Sequence, residues 1–220
     1  MQYSYLRLAI VQDRPLAIAR LERRLLRAFG TSGGFGMFSD VPNSGMFHWG
    51  LLWRRGKDQD WMAAIDFPAH RRVPSWSWMA YSGGIGYGIA PLSAIDWEVE
   101  EIRSPWSGRR SHDLQIGLTY SEAALTAVVR DFNAANRRQD EVNLIYDTEP
   151  TTYDNRTQCV IIARSKEEKT DDDRTFYVLL VVTTGRALDG GEMEYKRVGI
   201  GRMLGTLISL DRPGIRAKIY

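Results

Sequence analysis

The sequence predicts an α+β protein that is mostly β, with an antiparallel, barrel-like sheet and an N-terminal amphipathic helix. Three observations carry this. Beyond residue 110, short apolar runs alternate with turn-rich stretches. Ahead of them lies one segment with clear helix start and stop signals. All seven tryptophans fall between Trp49 and Trp106, which points to an aromatic core layer built from one part of the chain. With 220 residues, 44% hydrophobic and 25% charged, the chain fits a single domain spanning residues 1–220.

The helix is expected from Asp13 to about Phe29. Asp13 suits an N-cap, Pro15 the first turn, and Gly30 the left-handed residue that stops a helix. Ile18, Leu21, Leu25 and Phe29 form an apolar stripe, with Arg20, Arg23, Arg24 and Arg27 on other faces. Such a helix packs on a larger body; a helix lying on a membrane surface or on a partner is the alternative. Gly30–Gly36 is a glycine-rich loop, and Gly50–Gly56 reads as a short strand bounded by glycines. Val73–Tyr81 alternates like a strand, Trp76 and Trp78 on one side, Ser75, Ser77 and Met79 on the other. Gly83–Gly88 is a turn.

Further strands are expected at Asp113–Thr119, Leu125–Phe132, Val142–Tyr146, Gln158–Arg164, Phe176–Thr183 and Glu194–Ile200. Glu122–Arg130 is also compatible with a helix. Ala134–Glu141 and Ser165–Arg174 read as exposed, mobile loops.

Charge narrows the partners. A net charge of +2 is too small to imply nucleic acid or an anionic membrane. No apolar run approaches the roughly 20 residues of a membrane span. The N-terminus has no basic start of a signal peptide, so a cytoplasmic location is expected. Residues 1–72 carry 11 Lys/Arg against 6 Asp/Glu, whereas 139–175 carry 5 against 10. Complementary faces or a steering patch would show this asymmetry, and so would ordinary solvated surface.

The chemical motifs are sparse. The single cysteine, Cys159, excludes an intramolecular disulfide and reads as a buried thiol in an apolar strand. His48, His70 and His112 have no partner at metal-ligand spacing, so neither a metal nor a cofactor is expected. Gly30-Thr-Ser32-Gly-Gly34 fits the G-x-S-x-G pattern, but a helix precedes it where a nucleophile elbow needs a strand. Gly83–Gly88 lacks the G-x-G-x-x-G spacing and opens no helix. His70 lies close in sequence to Asp66, a possible acid/base pair set against the plainer reading of a surface histidine.

Four pieces of the chain resemble one family. Arg72-Val-Pro-Ser-Trp-Ser-Trp-Met-Ala-Tyr-Ser-Gly-Gly-Ile85 is similar to the "APSWSWAS.DG" stretch of fungal heterokaryon-incompatibility (HET) proteins. In the same order, Asp13-Arg-Pro-Leu-Ala-Ile-Ala-Arg-Leu21 resembles their "D.L.ALSGLA" helix and Leu51-Leu-Trp53 their "LLW" strand. Tyr195-Lys-Arg-Val-Gly199 resembles their closing "Y.RVG" strand. The likeness spans about residues 3–202 and covers the region that follows the HET domain in that family. It implies a free-standing version of that C-terminal region, without the TIR-like domain thought to trigger cell death. No catalytic residue carries over with it.

Two functions remain open from sequence. The first is a recognition or regulatory module that binds a protein partner through an aromatic-rich β face. The contact residues would then be Trp49, Trp53, Trp76, Trp78, Tyr87 and Trp97. The second is an enzyme of fungal secondary metabolism, a cyclase or isomerase, taking a small hydrophobic molecule in an aromatic-lined pocket. There His48, Asp66, His70, Arg72 and Tyr81 are the candidate catalytic residues. This second reading requires a cavity of about 300 Å³ or more.

Overall fold

The long strands follow from continuous apolar runs such as Cys159-Val-Ile-Ile162 and Phe176–Val182, which suit a sheet buried on both faces. The computed structural model describes residues 10–39, 45–57, 60–88, 92–107, 118–135, 141–150, 157–167, 170–188 and 190–220. In the first part, helix α1 (Arg14–Phe29) is followed by strands β1 (Gly33–Gly34) and β2 (Met37–Phe38), then helix α2 (Met46–Leu51). The short strands β3 (Arg54–Arg55), β4 (Ala63–Ala64), β5 (Tyr81–Ser82), β6 (Ile85–Gly86), β7 (Ile95–Trp97) and β8 (Ile102–Arg103) come next. The second part holds β9 (Leu125–Val129), β10 (Val142–Tyr146), β11 (Gln158–Ser165), β12 (Thr175–Ala187), β13 (Met193–Leu204) and β14 (Ile215–Ile219).

These last strands build the main sheet, in the order β7-β11-β12-β13-β14-β9-β8, with β10 beside β13. Pairing is antiparallel except between β13 and β14, which run parallel. The sheet curls until β9 meets β11: Arg130 and Cys159 exchange backbone hydrogen bonds of 2.8 and 2.9 Å. The mostly β, barrel-like architecture predicted from sequence is the one observed.

Two apolar clusters flank the curled sheet. Leu125, Ala127, Val129, Val160, Ile162, Leu179 and Ala217 join the tryptophan-rich part of the chain in one. Cys159, Ile161, Val178, Leu180 and Val198 form the other with Phe132, Val142 and Leu144 against them. Alternate residues of β11 and β12 therefore enter different clusters, which is why these strands are apolar throughout.

Several local expectations are corrected. Val73–Tyr81 is not a strand: Ser77 caps a 3-10 turn at Trp78–Ala80, its hydroxyl accepting the Met79 N–H at 3.1 Å, before β5 begins. Every residue from Trp76 to Tyr81 is buried, so the W-S-W alternation does not divide between a packed and an open face as a strand's would. Leu51 ends a helix, and only Arg54–Arg55 of the Gly50–Gly56 segment is extended. Gly83–Gly88 contains β6. Leu125–Val129 is a strand, preceded by a 3-10 turn at Tyr120–Glu122. Most of Asp113–Thr119, together with His112, lies outside the described residues.

Helix α1 ends as predicted at Gly30 in the left-handed region, but the Asp13 side chain does not cap it, because a 3-10 turn at Val11–Asp13 leads straight into the helix. Its packed face is also swung from the expected stripe. Arg14 is its buried residue, Leu26 abuts Gly33, and the Glu22 carboxylate accepts the Gly36 N–H at 2.6 Å. Leu21 and Phe29 are half-exposed. The contacts run to the β1–β2 hairpin and to Trp78–Gly83, so the helix sits on the aromatic part of the fold.

Candidate functional site

The aromatic segment folds inward upon itself. Trp53 and Trp76 are fully buried, and each indole N–H finds a backbone carbonyl. Trp53 donates to the Trp76 carbonyl, Trp76 to the Ala123 carbonyl (both 2.9 Å), and Trp78 to the Gly36 carbonyl at 3.3 Å. Trp76 packs edge-on against Phe35 and Trp106. Buried indoles with internal partners are scaffold, each removing roughly 150–250 Å² from water.

The deepest polar feature is Arg197 of β13, whose side chain and that of Asp147 expose nothing to solvent. Arg197 donates to both Asp147 carboxylate oxygens (2.8 and 3.2 Å), to the Leu51 carbonyl at 2.8 Å and to the Trp53 carbonyl. Its guanidinium lies 3.3 Å from the Trp53 ring centroid. Burial raises the Asp147 carboxyl above its ordinary range, against the pull of Arg197. The Arg197 N–H donates to the Ser75 hydroxyl at 2.8 Å, and that hydroxyl donates to the Tyr220 carbonyl. Arg14 makes a second anchor, donating to the carbonyls of Tyr81 (2.7 Å) and Gly83 (3.1 Å) while its guanidinium covers Trp78. The four pieces around Arg14, Trp53, Ser75 and Arg197, far apart in sequence, thus lock together in space.

Two adjoining cavities lie over this lock. The larger, about 660 Å³, is bounded by Gln12, Pro15 and Leu16, by Phe35, by His70–Val73 and by Leu118–Ser121. The smaller, about 280 Å³, is bounded by Val73, Ser75, Tyr81, Tyr120, Glu194, Tyr195 and Tyr220 among others. Val73 and Tyr120 border both, so the two form one groove along the segment that opens the P-S-W-S-W motif.

Sequence logic explains its walls. Thr119 and Glu122 form a reciprocal capping box that fixes the turn presenting Tyr120. Tyr120 stacks on Tyr220 with centroids 5.4 Å apart, and the Arg72 guanidinium lies 5.8 Å from the Tyr120 centroid. Burial, with Glu194 nearby, pushes the Tyr120 and Tyr220 phenols up, so both stay neutral donors at physiological pH. The groove offers cations at Arg71 and Arg72, phenols at its centre, and an apolar floor of Phe35, Val73 and Leu118.

No family model matches the chain, and no similar curated protein or solved structure is found. The site therefore rests on geometry.

The candidate residues divide. His70 and Arg72 border the larger cavity and Tyr81 the smaller, its hydroxyl donating to the Arg197 carbonyl at 3.3 Å. Asp66 is exposed and shares no hydrogen bond or ion pair with His70. His48 is buried in α2 between Phe47 and Trp97. Trp53, Trp76 and Trp78 are core; Trp49 and Tyr87 stack on each other at 4.2 Å, half-buried, and half-buried Trp97 lies against Gly45. The cavity that an enzyme would need exists, but those tryptophans do not border it. Sequence reasoning missed Tyr120, Tyr220 and Glu194, which join the groove only when β14 and β13 close the sheet beside Ser75. Among the described residues no cluster of His, Cys, Asp or Glu is placed to hold a metal ion, and no helix is long and apolar enough to cross a membrane.

Proposed function

We propose that the chain is a recognition module whose binding site is the groove along Arg72–Ser75. It would receive a segment of a protein partner that sets an apolar side chain against Phe35 and Val73 and a carboxylate against Arg72. The observation that carries this reading is the pairing of an open, apolar-floored cavity of about 660 Å³ with Arg71 and Arg72 on its border. The likeness to the C-terminal region of HET proteins supports a recognition role, and it falls on residues that hold the scaffold. An enzyme acting on a small hydrophobic molecule is the second reading, favoured by the volume of the same cavity and by His70 and Arg72 bordering it.

Val73 borders both cavities, so Val73→Trp plugs the groove from its middle. Peptides selected from a random library by the wild-type chain should lose binding to V73W, and those with acidic residues should also weaken against Arg72→Ala. Selected peptides that bind V73W unchanged would place recognition elsewhere. Multiple turnover of a metabolite, abolished by His70→Ala or Arg72→Ala, would decide for the enzyme.

A further inference from the structure

The net charge of +2 conceals a concentrated patch. Helix α1 carries five arginines and one acidic residue, Glu22. Arg14 and Glu22 point inward and are bonded within the fold. The other four, Arg20, Arg23, Arg24 and Arg27, are exposed and fall at i, i+3, i+4 and i+7, which places them on one face. None forms an ion pair among the described residues; Arg23 bonds back to the Ala19 carbonyl. On or beside that face the helix exposes Leu16 (56%) and Leu21 (50%), with Ile10 (58%) just ahead of it, while Phe29 at its end packs edge-on against Phe38.

We infer that α1 is a docking surface for an anionic lipid bilayer. An exposed helix face that mixes arginines with large apolar residues fits the bilayer interface, where phosphates meet the guanidinium groups and the apolar side chains enter the acyl boundary. Arginine suits this, because its planar fork takes phosphate oxygens in pairs. A nucleic acid or an acidic protein would satisfy the charges and leave Leu16 and Leu21 in water. The swing of the packed face toward Glu22 and Leu26 is what leaves Leu21 outside. The helix lies flat on the fold and runs about 24 Å at 1.5 Å per residue, enough to rest across several headgroups.

Flotation with vesicles of phosphatidylserine and phosphatidylcholine tests the inference, with pure phosphatidylcholine as the neutral surface. The full chain should float with the anionic vesicles only, and added salt should release it. Each Arg→Gln change at Arg20, Arg23, Arg24 or Arg27 should lower partitioning about fivefold. The quadruple variant should fall to the neutral-vesicle level, with its thermal midpoint little changed because these side chains are exposed and the one bond among them, from Arg23, stays within the helix. Leu21→Ser should weaken vesicle binding while leaving any retention on heparin unaltered. Failure to float, equal flotation with neutral vesicles, or loss of L21S binding to heparin and vesicles alike would overturn the inference. So would a concentration-dependent dimer abolished by the quadruple variant, which would make the face an interface between copies. The V73W variant, altered only in the groove, should float like the wild type.

Discussion

Arg197 shows what one buried side chain does here. Its guanidinium is shared between Asp147, two backbone carbonyls and the face of Trp53, with no water to screen them. Removing one member of such a set strands the others without partners. Arg197→Met should therefore cost about 3–5 kcal/mol in urea unfolding, and Asp147→Asn a comparable amount. Arg197→Lys should rescue little, since a point ammonium cannot reach both the carboxylate and the carbonyls. A loss below about 1 kcal/mol for R197M, the scale of an exposed pair, would show that the set is not the lock described. Cys159 gives a second residue-level prediction. Burial pushes its thiol up to about 12, so the folded state holds the proton well above the ordinary range. Its contribution to stability is then full below pH 9 and lost as pH rises from 9 toward 12. A thiol reagent near neutral pH should label it only as fast as the chain opens. Prompt stoichiometric labelling of the native protein would contradict its burial.

Among the elements, α1 depends on few attachments, and Arg14 is the strongest of them. Arg14→Ala should raise amide exchange along Arg14–Phe29 while leaving β11 to β13 protected, at a global cost of about 1–3 kcal/mol. Uniform loss of protection would mean that the helix and the sheet open together. Gly36→Ala should also loosen this seat: its φ is +76°, and an added Cβ would lie 2.5 Å from Trp78 Nε1. The long strands β11, β12 and β13 were legible in the sequence, because apolar runs bounded by polar turns leave few alternatives. Strand β14 is marked by Ile215, Ala217 and Ile219 alternating with Arg216 and Lys218, but it is not among the strands expected from sequence. Val73–Tyr81 misled for a physical reason, since its large and small side chains alternate along the chain while all of Trp76–Tyr81 is buried, around a serine-capped turn. The groove was legible only in its first wall, at His70, Arg72 and Tyr81. Its second wall comes from residues some 50 to 150 positions away, brought there by sheet closure and by the hydrogen bonds of Ser75.

For the whole molecule, the shared cluster joins tryptophans from the first half to the strands of the second. Since all seven tryptophans lie in the first half and the long strands in the second, fluorescence and far-ultraviolet circular dichroism follow different halves. Their urea transitions should coincide, as expected for one cooperative unit. A fluorescence change that precedes the loss of sheet signal would divide the chain into two units.

Strand β13 has a further consequence. Its first residues pair with β14 and its later ones with β10, while β12 runs along its other side. The handover falls at Gly199, where a side chain would collide with the Ile145 carbonyl. Strand β12 is likewise flanked by β11 and β13. Among the described residues, the free margins of the sheet thus belong to β7, β8 and β10, none longer than five residues. Short margins give an incoming strand little to add to, so the most apolar segments of the chain are kept from templating fibrils. Peeling away β10 alone would expose Gly199–Met203 as a sticky margin, which makes that hairpin-free strand the guard against aggregation.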